Sequence, residues 1–289
     1  MAERRFAETP APGVEFAYAG ELQHSEDSAF QHIDVYDHET FGRTLVLDGA
    51  VQTSERDEFL YHEMLVHVPL LCHPEPRRVL VVGGGDGGAL RRVLEHPSVT
   101  EAVMVEIDDR VTALSREFMP AIGGSVWGDS RAKVLFEDGN AYVHADGEPF
   151  DAIIVDSSDP VGPGIVLFET PFYRRCLERL NPGGVYVAQV GSPIYFQDEM
   201  RMATRNARAA FGDVRLYLGH ITTYPGVLWS FMLCGGSTLE VDGAAAAKRA
   251  AERGLHTRAW TPEIHEGAFA LPGFVVEGLS GDGRNPFGS

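Results

Sequence analysis

At 289 residues, 44% of them apolar and 23% charged, the chain has the composition of an ordinary globular protein, with room for one large α/β domain and a smaller one. Forty-two acids against 24 lysines and arginines leave a formal charge of −18, which argues against nucleic acid and anionic membranes as partners and suits cationic ligands. Cys72, Cys176 and Cys234 form no C-x-x-C pair, Met1 is followed by no apolar leader, and no run reaches membrane-spanning length. A reduced, cytoplasmic protein without a disulfide framework or thiolate metal site is expected.

Residues 1 to about 15 are polar and punctuated by proline and glycine, and read as a loose arm. Val14–Tyr18, Phe30–Tyr36 and Arg43–Leu47 alternate as short strands of an antiparallel unit. Thr53 or Ser54 then offers an N-cap for a helix through Phe59–His67 that stops near Pro69. Residues 1–65 are accordingly read as an N-terminal β domain with its connecting helix, and 66–289 as the larger domain. Val79–Val82 is a short β-branched run, the signature of a buried parallel strand. It breaks into the glycine-rich turn Gly83–Gly88 and resumes at helical spacing over Ala89–Leu94. Strands at Ala102–Ile107, Lys133–Phe136, Asp151–Val155 and Gly184–Gln189 follow, separated by helices at Asp109–Phe118, Ala141–Ala145 and Phe172–Leu180. A helix near Asp198–Phe211 and strands at Val214–Leu218 and Leu228–Cys234 complete the pattern. Regular alternation means a Rossmann-like, mostly parallel sheet.

Ligands of such sheets bind outside the carboxyl ends of the strands. Those ends carry Asp86, Glu106, Asp138-Gly139, Asp156 with Asp159, and Gln189. A loop built for pyrophosphate presents amides to an anion, so Asp86 within the turn points instead to a ligand with positive charge. Four acidic positions on one rim repel one another unless a cation or a set of hydroxyls compensates. Glu106, twenty residues past Asp86, stands where an acid accepts ribose hydroxyls. Asp138-Gly139 suits an exocyclic amine, and Asp156 with Asp159 suits an ammonium that must lose its proton. His62 and His67 are five residues apart, roughly 140° around a helix, so a zinc helix is not expected. Tyr61 and Tyr224 read equally well as core aromatics, Gln31 as a solvent-facing strand position, and Asp159-Pro160 as the opening of a turn.

The runs Gln52–Met64, Gly83–Gly88 and Asp156–Pro163, with Thr223-Tyr224-Pro225 and Ala268–Pro272, resemble the polyamine aminopropyltransferase family, most closely its bacterial spermidine synthases. The resemblance implies a class I methyltransferase-type sheet behind a small antiparallel β domain. It implies transfer of the aminopropyl group of decarboxylated S-adenosylmethionine, a co-substrate, to a diamine, typically putrescine. The products would be spermidine and methylthioadenosine, with no cofactor or metal, in a homodimer or homotetramer. By the same resemblance Asp156 is the proton acceptor, and Gln31, Asp86, Glu106, Asp138, Gly139 and Pro163 bind the donor. Tyr61, His62, Asp156, Asp159, Gln189 and Tyr224 surround the amine, and Asp159–Tyr173 is a gatekeeping loop. Asp86 would hold the donor's ammonium and repel the carboxylate of ordinary S-adenosylmethionine, which separates this reading from an N-methyltransferase of the same fold. Asp156 and Asp159 together separate it from a non-catalytic polyamine sensor. Val190–Pro193 and Gly226–Trp229 depart from the animal-type pattern and leave cadaverine, agmatine or spermidine as alternative acceptors.

Overall fold

The structure, a computed structural model, describes residues 3–158 and 162–280. Strands β1 (Glu3–Ala11), β2 (Val14–Asp27), β3 (His32–His38), β4 (Gly42–Leu47) and β5 (Ala50–Ser54) form an antiparallel sheet in sequence order. The expected loose arm is therefore a strand. Gly13, at φ +77°, lets the chain reverse so that Ala11 faces Val14, and Phe6 stacks on Tyr18 and Tyr36. The strand is held by its hairpin partner and by these ring contacts, which the polar, proline-bearing arm does not announce.

Helix α1 (Glu58–Cys72) follows. Thr53 and Ser54 end β5, and Asp57 takes the N-cap position without capping through its side chain. The helix does not stop at Pro69. Nearly all of its length from Tyr61 to Leu71 is buried against the second sheet and its helices, and that packing outweighs the ~3 kcal/mol a mid-helix proline costs. The boundary expected after residue 65 falls inside this helix.

The remaining elements are β6 (Arg78–Gly83), α2 (Gly88–Leu94), β7 (Glu101–Glu106), α3 (Asp109–Phe118), α4 (Pro120–Gly123), β8 (Ala132–Phe136), α5 (Gly139–His144), β9 (Phe150–Asp156), α6 (Thr170–Glu178), β10 (Leu180–Gln189), α7 (Gln197–Arg208), β11 (Asp213–His220), β12 (Leu228–Gly235), α8 (Gly243–Arg253), α9 (Pro262–Gly267) and α10 (Gly273–Ser280). The seven strands lie in the order β11-β12-β10-β9-β6-β7-β8. They run parallel from β10 to β8, and β12 is antiparallel to both of its neighbours. Alternation along β6 explains the two core layers. Val79 and Val81 pack with α1 on one face, while Leu80 and Val82 pack with Phe172 and Tyr173 of α6 on the other. The chain goes from β6 outward to β7 and β8, then returns to β9 on the other side of β6. Gly83 and Asp156 thus meet at the switch point, where such sheets open a crevice. Among the described residues, no helix is long and apolar enough to cross a membrane.

Candidate active site

Asp156 ends β9, and its backbone carbonyl accepts a hydrogen bond from the Gly84 N–H at 2.8 Å. Gly83 is at φ +81°, and a Cβ there would stand 2.2 Å from that carbonyl, so the turn demands glycine. The Asp156 carboxylate is largely buried and accepts the Tyr61 hydroxyl at 2.8 Å. His62, the next residue on α1, is fully enclosed. Its Nε2 lies 3.6 Å from Asp86 Oδ2 and 3.9 Å from Asp156 Oδ2. Asp86 is fixed in turn by the Gly88 N–H, which donates to Oδ1 at 2.7 Å. Tyr61, His62, Asp86 and Asp156 therefore converge on one point at the carboxyl ends of β6 and β9.

The electrostatics follow from burial and proximity. Burial, together with the charge of Asp86, lifts Asp156 to about 6 against the pull of His62 and of the Tyr61 hydroxyl. Burial opposes a charge on His62, yet Asp86, Glu58 and Asp156 outweigh it and raise the imidazole to about 9. Burial and the Asp156 charge keep Tyr61 a phenol. One ligand atom each from His62, Asp86 and Asp156 lies within 4.8 Å of the others, but an imidazole held protonated has no lone pair to give a metal ion. The spacing of His62 and His67 argued against a zinc helix, and it is His62 with two distant acids that converges instead.

Glu106 ends β7 and is buried. It accepts the Asp108 N–H at 2.9 Å, and burial raises it to about 7. Gln31 stands in the turn before β3, not on the strand, and donates from Nε2 to Asp108 Oδ2 at 2.9 Å. Ser28 donates to the same oxygen at 2.7 Å. Asp138 is exposed and caps α5, its Oδ1 accepting the N–H groups of Asn140 and Ala141. Gly139 follows, where a Cβ would press to 2.5 Å of Val82. Two apolar side chains, Ile107 and Phe136, lie exposed on this side of the rim.

On the other side, Gln189 ends β10 with its amide engaged. It donates to the Ser157 carbonyl at 3.0 Å and accepts the Gly191 N–H and the Trp229 indole. Tyr224 packs edge-on to Tyr61, with ring centroids 5.7 Å apart, and donates to the Gln52 carbonyl at 2.5 Å. Pro163 lies in a 3-10 segment, Gly162–Phe168, and Asp159 lies outside the described residues.

Several residues of the site escaped the sequence reading. Glu58 accepts His62 Nδ1 at 2.8 Å and holds Arg91 and Arg92. Asp57 receives Thr222 Oγ1 at 2.7 Å and both the N–H and the hydroxyl of Thr223 at 2.9 Å. The i,i+4 spacing of Glu58 and His62 was a usable signal. The cross-sheet partners of Asp57 (Thr222 and Thr223) and of Asp108 (Ser28 and Gln31) are over 75 residues distant and left none.

Residues 58–243 match the spermine/spermidine synthase domain, and residues 6–55 match the spermidine synthase tetramerisation domain. The polyamine aminopropyltransferase of Desulforudis audaxviator is 46% identical over 257 residues, covering 89% of this chain and 92% of its own. That of Moorella thermoacetica is 43% identical over 98% of both chains. A spermidine synthase solved in complex with the transition-state analogue AdoDATO superposes with a TM-score of 0.90 at 34% identity, covering 96% of this chain and 95% of its own. The spermidine synthase of Thermotoga maritima superposes with a TM-score of 0.89 at 33% identity, covering 96% and 94%. The chain belongs to the spermine/spermidine synthase family and is an aminopropyltransferase.

Proposed function

We propose that the enzyme transfers the aminopropyl group of decarboxylated S-adenosylmethionine to putrescine, giving spermidine and methylthioadenosine. The observation that carries this reading is the convergence of Tyr61, His62, Asp86 and Asp156 at the switch point. The sulfonium is already a good leaving group, so the site has to supply alignment and a neutral amine. At pH 7 only roughly one alkylamine in a few thousand is neutral. The amine lone pair attacks the methylene carbon next to sulfur, the C–N bond forms, and the C–S pair returns to sulfur as a thioether. The proton on the new ammonium passes to Asp156, whose value near 6 and bond from Tyr61 suit it as acceptor.

The donor's ribose would bind at Glu106 and its adenine near Asp138 and Gly139, flanked by the exposed Ile107 and Phe136. Gln31, steadied by Asp108, and Pro163 would complete the donor site, and Asp86 would take the donor's terminal ammonium. Tyr61, His62, Asp159, Gln189 and Tyr224 would surround the acceptor. We assign residues 1–65 to an N-terminal β domain and 66–289 to the catalytic domain of a cytoplasmic homodimer or homotetramer. The tetramerisation-domain match over 6–55 supports the assembly.

The test is incubation with decarboxylated S-adenosylmethionine and a panel of amines, followed by mass spectrometry of products. Methylthioadenosine formed fastest with putrescine, and lost at least about 1,000-fold in Asp156→Asn with donor binding retained, is the expected result. Preference for cadaverine, agmatine or spermidine would reassign the acceptor, and an Asp156→Asn variant of near wild-type rate would remove Asp156 as proton acceptor.

A further inference from the structure

Glu58 lies in the first turn of α1, where an acid ordinarily does no more than complement the helix start. Here it is buried, with Oε1 accepting Arg91 at 2.8 Å and Arg92 at 3.0 Å, while Oε2 faces His62 Nδ1 at 2.8 Å. Burial opposes its charge, but His62 and the two guanidinium groups overcome burial and hold the carboxyl near 2. An ionised carboxylate has no proton to give, so Nδ1 must be the donor. On the far edge of the ring, Nε2 looks at Asp86 and Asp156, and a lone pair there would face two carboxylates. Both ring nitrogens therefore carry protons. The ring is also pinned: a Cβ at Gly88 would lie 2.2 Å from His62 Cε1.

From this geometry we infer that Glu58 is a positioning residue that keeps His62 as an imidazolium between Asp86 and Asp156, and that this fixed cation makes the acceptor nitrogen enter as a neutral amine. The inference rests on the reading of this site as the amine site. Carboxylates alone would bind an ammonium and raise its pKa, holding the nucleophile in its inert form. A built-in cation beside them lowers the pKa of the incoming nitrogen, as neighbouring cations do for reactive lysines. The groups facing His62 are Glu58 and Tyr61 from α1, Asp86 from the glycine turn and Asp156 from β9. Arg91 and Arg92 of α2 act through Glu58, and Arg92 also meets Glu95 at 2.8 Å and Glu63 at 3.9 Å.

The experiment is ring-¹⁵N histidine NMR of the full-length enzyme from about pH 6 to 10, paired with the pH profile of kcat for the wild type, Glu58→Gln and Glu58→Asp. In the wild type, His62 should show both nitrogens protonated at neutral pH and titrate near 9, and the alkaline fall of kcat should follow it. Glu58→Gln should move the titration and the alkaline limb down together by about one pH unit or more, with Glu58→Asp between the two. A neutral wild-type imidazole at pH 7 would overturn the inference. So would a Glu58→Gln variant that loses the same factor of kcat at every pH, since that is what a purely structural role predicts. If no amine is accepted at all, the aminopropyl reading falls, while the NMR titration still decides the state of His62 independently.

Discussion

Replacing Glu106 by glutamine removes a carboxyl that burial lifts from 4.5 to about 7, against the N–H groups of Asp108, Ile107 and Gly85 and with the charge of Asp108 adding to the lift. Between these two values the native protein keeps a proton that the unfolded chain has already lost. Stability therefore falls as pH rises through that window, and the full penalty, about 3 kcal/mol, is present above about pH 7. Glutamine is never charged and escapes that penalty. It keeps an acceptor for Asp108 N–H (2.9 Å in the native protein) but turns an NH₂ toward the remaining N–H groups, at a cost of about 1 kcal/mol. The net gain at pH 8 is about 2 kcal/mol, or about 3 °C in Tm for a chain of this length. At pH 5, just inside the window, the penalty is only about 1 kcal/mol, so the variant should come out about level with the native protein. Thermal melts of the substrate-free enzyme at both pH values test this. A Tm difference of one sign and one size at pH 5 and pH 8 would refute it. The same substitution should weaken donor binding, because ribose hydroxyls are better held by a carboxylate than by an amide.

Three further substitutions, one of them a control, probe the geometry. Gly88→Ala puts a methyl 2.2 Å from His62 Cε1 and should cut kcat about 100-fold through displacement of the ring, while Gly128→Ala, with open space around it, should leave activity unchanged in the same assay. Val227 is a β-branched residue at φ +63°, so Val227→Gly should raise stability by about 0.5–1 kcal/mol in a neutral-pH melt, the relief of strain exceeding the entropy of the added glycine.

The parallel strands were legible because buried strands are β-branched runs cut off by turn residues. The rim followed from them, since strand ends carry ligand chemistry in this architecture. What local pattern did not carry was which neighbour each segment packs against. β1 is a strand because β2 lies beside it and Phe6 finds Tyr18 and Tyr36. α1 survives Pro69 because it is buried along its length. Glu58 looked like a first-turn acid, and only the fold brings Arg91 and Arg92 onto it. Asp138 shows the converse: a strand-end acid singled out for a ligand caps α5, the structural role a lone acid in that place has by default.

The bonds that cross between the two sheets tie the N-terminal strands to the turn beside the candidate site. The turn carrying Tyr224 contains the strained Val227, and strain of that kind persists only where neighbouring structure over-determines the backbone. Here the bracing comes largely from the first 57 residues. Tyr18 donates to the Thr223 carbonyl at 2.6 Å, Asp57 gathers Thr222 and Thr223, and the Gln52 carbonyl receives Tyr224. Ser54 steadies Asp57 from the other side at 2.6 Å. The opposite flank is tied by Gln31 and Ser28 to Asp108, and by a two-bond Arg110–Glu26 pair on the surface. Of these ties the buried Asp57 cluster contributes most, because breaking it strands the Thr223 N–H away from water, whereas the exposed ion pair adds little. The rim of the larger sheet supplies the acids, and the smaller sheet holds in place the turn that packs Tyr224 against Tyr61.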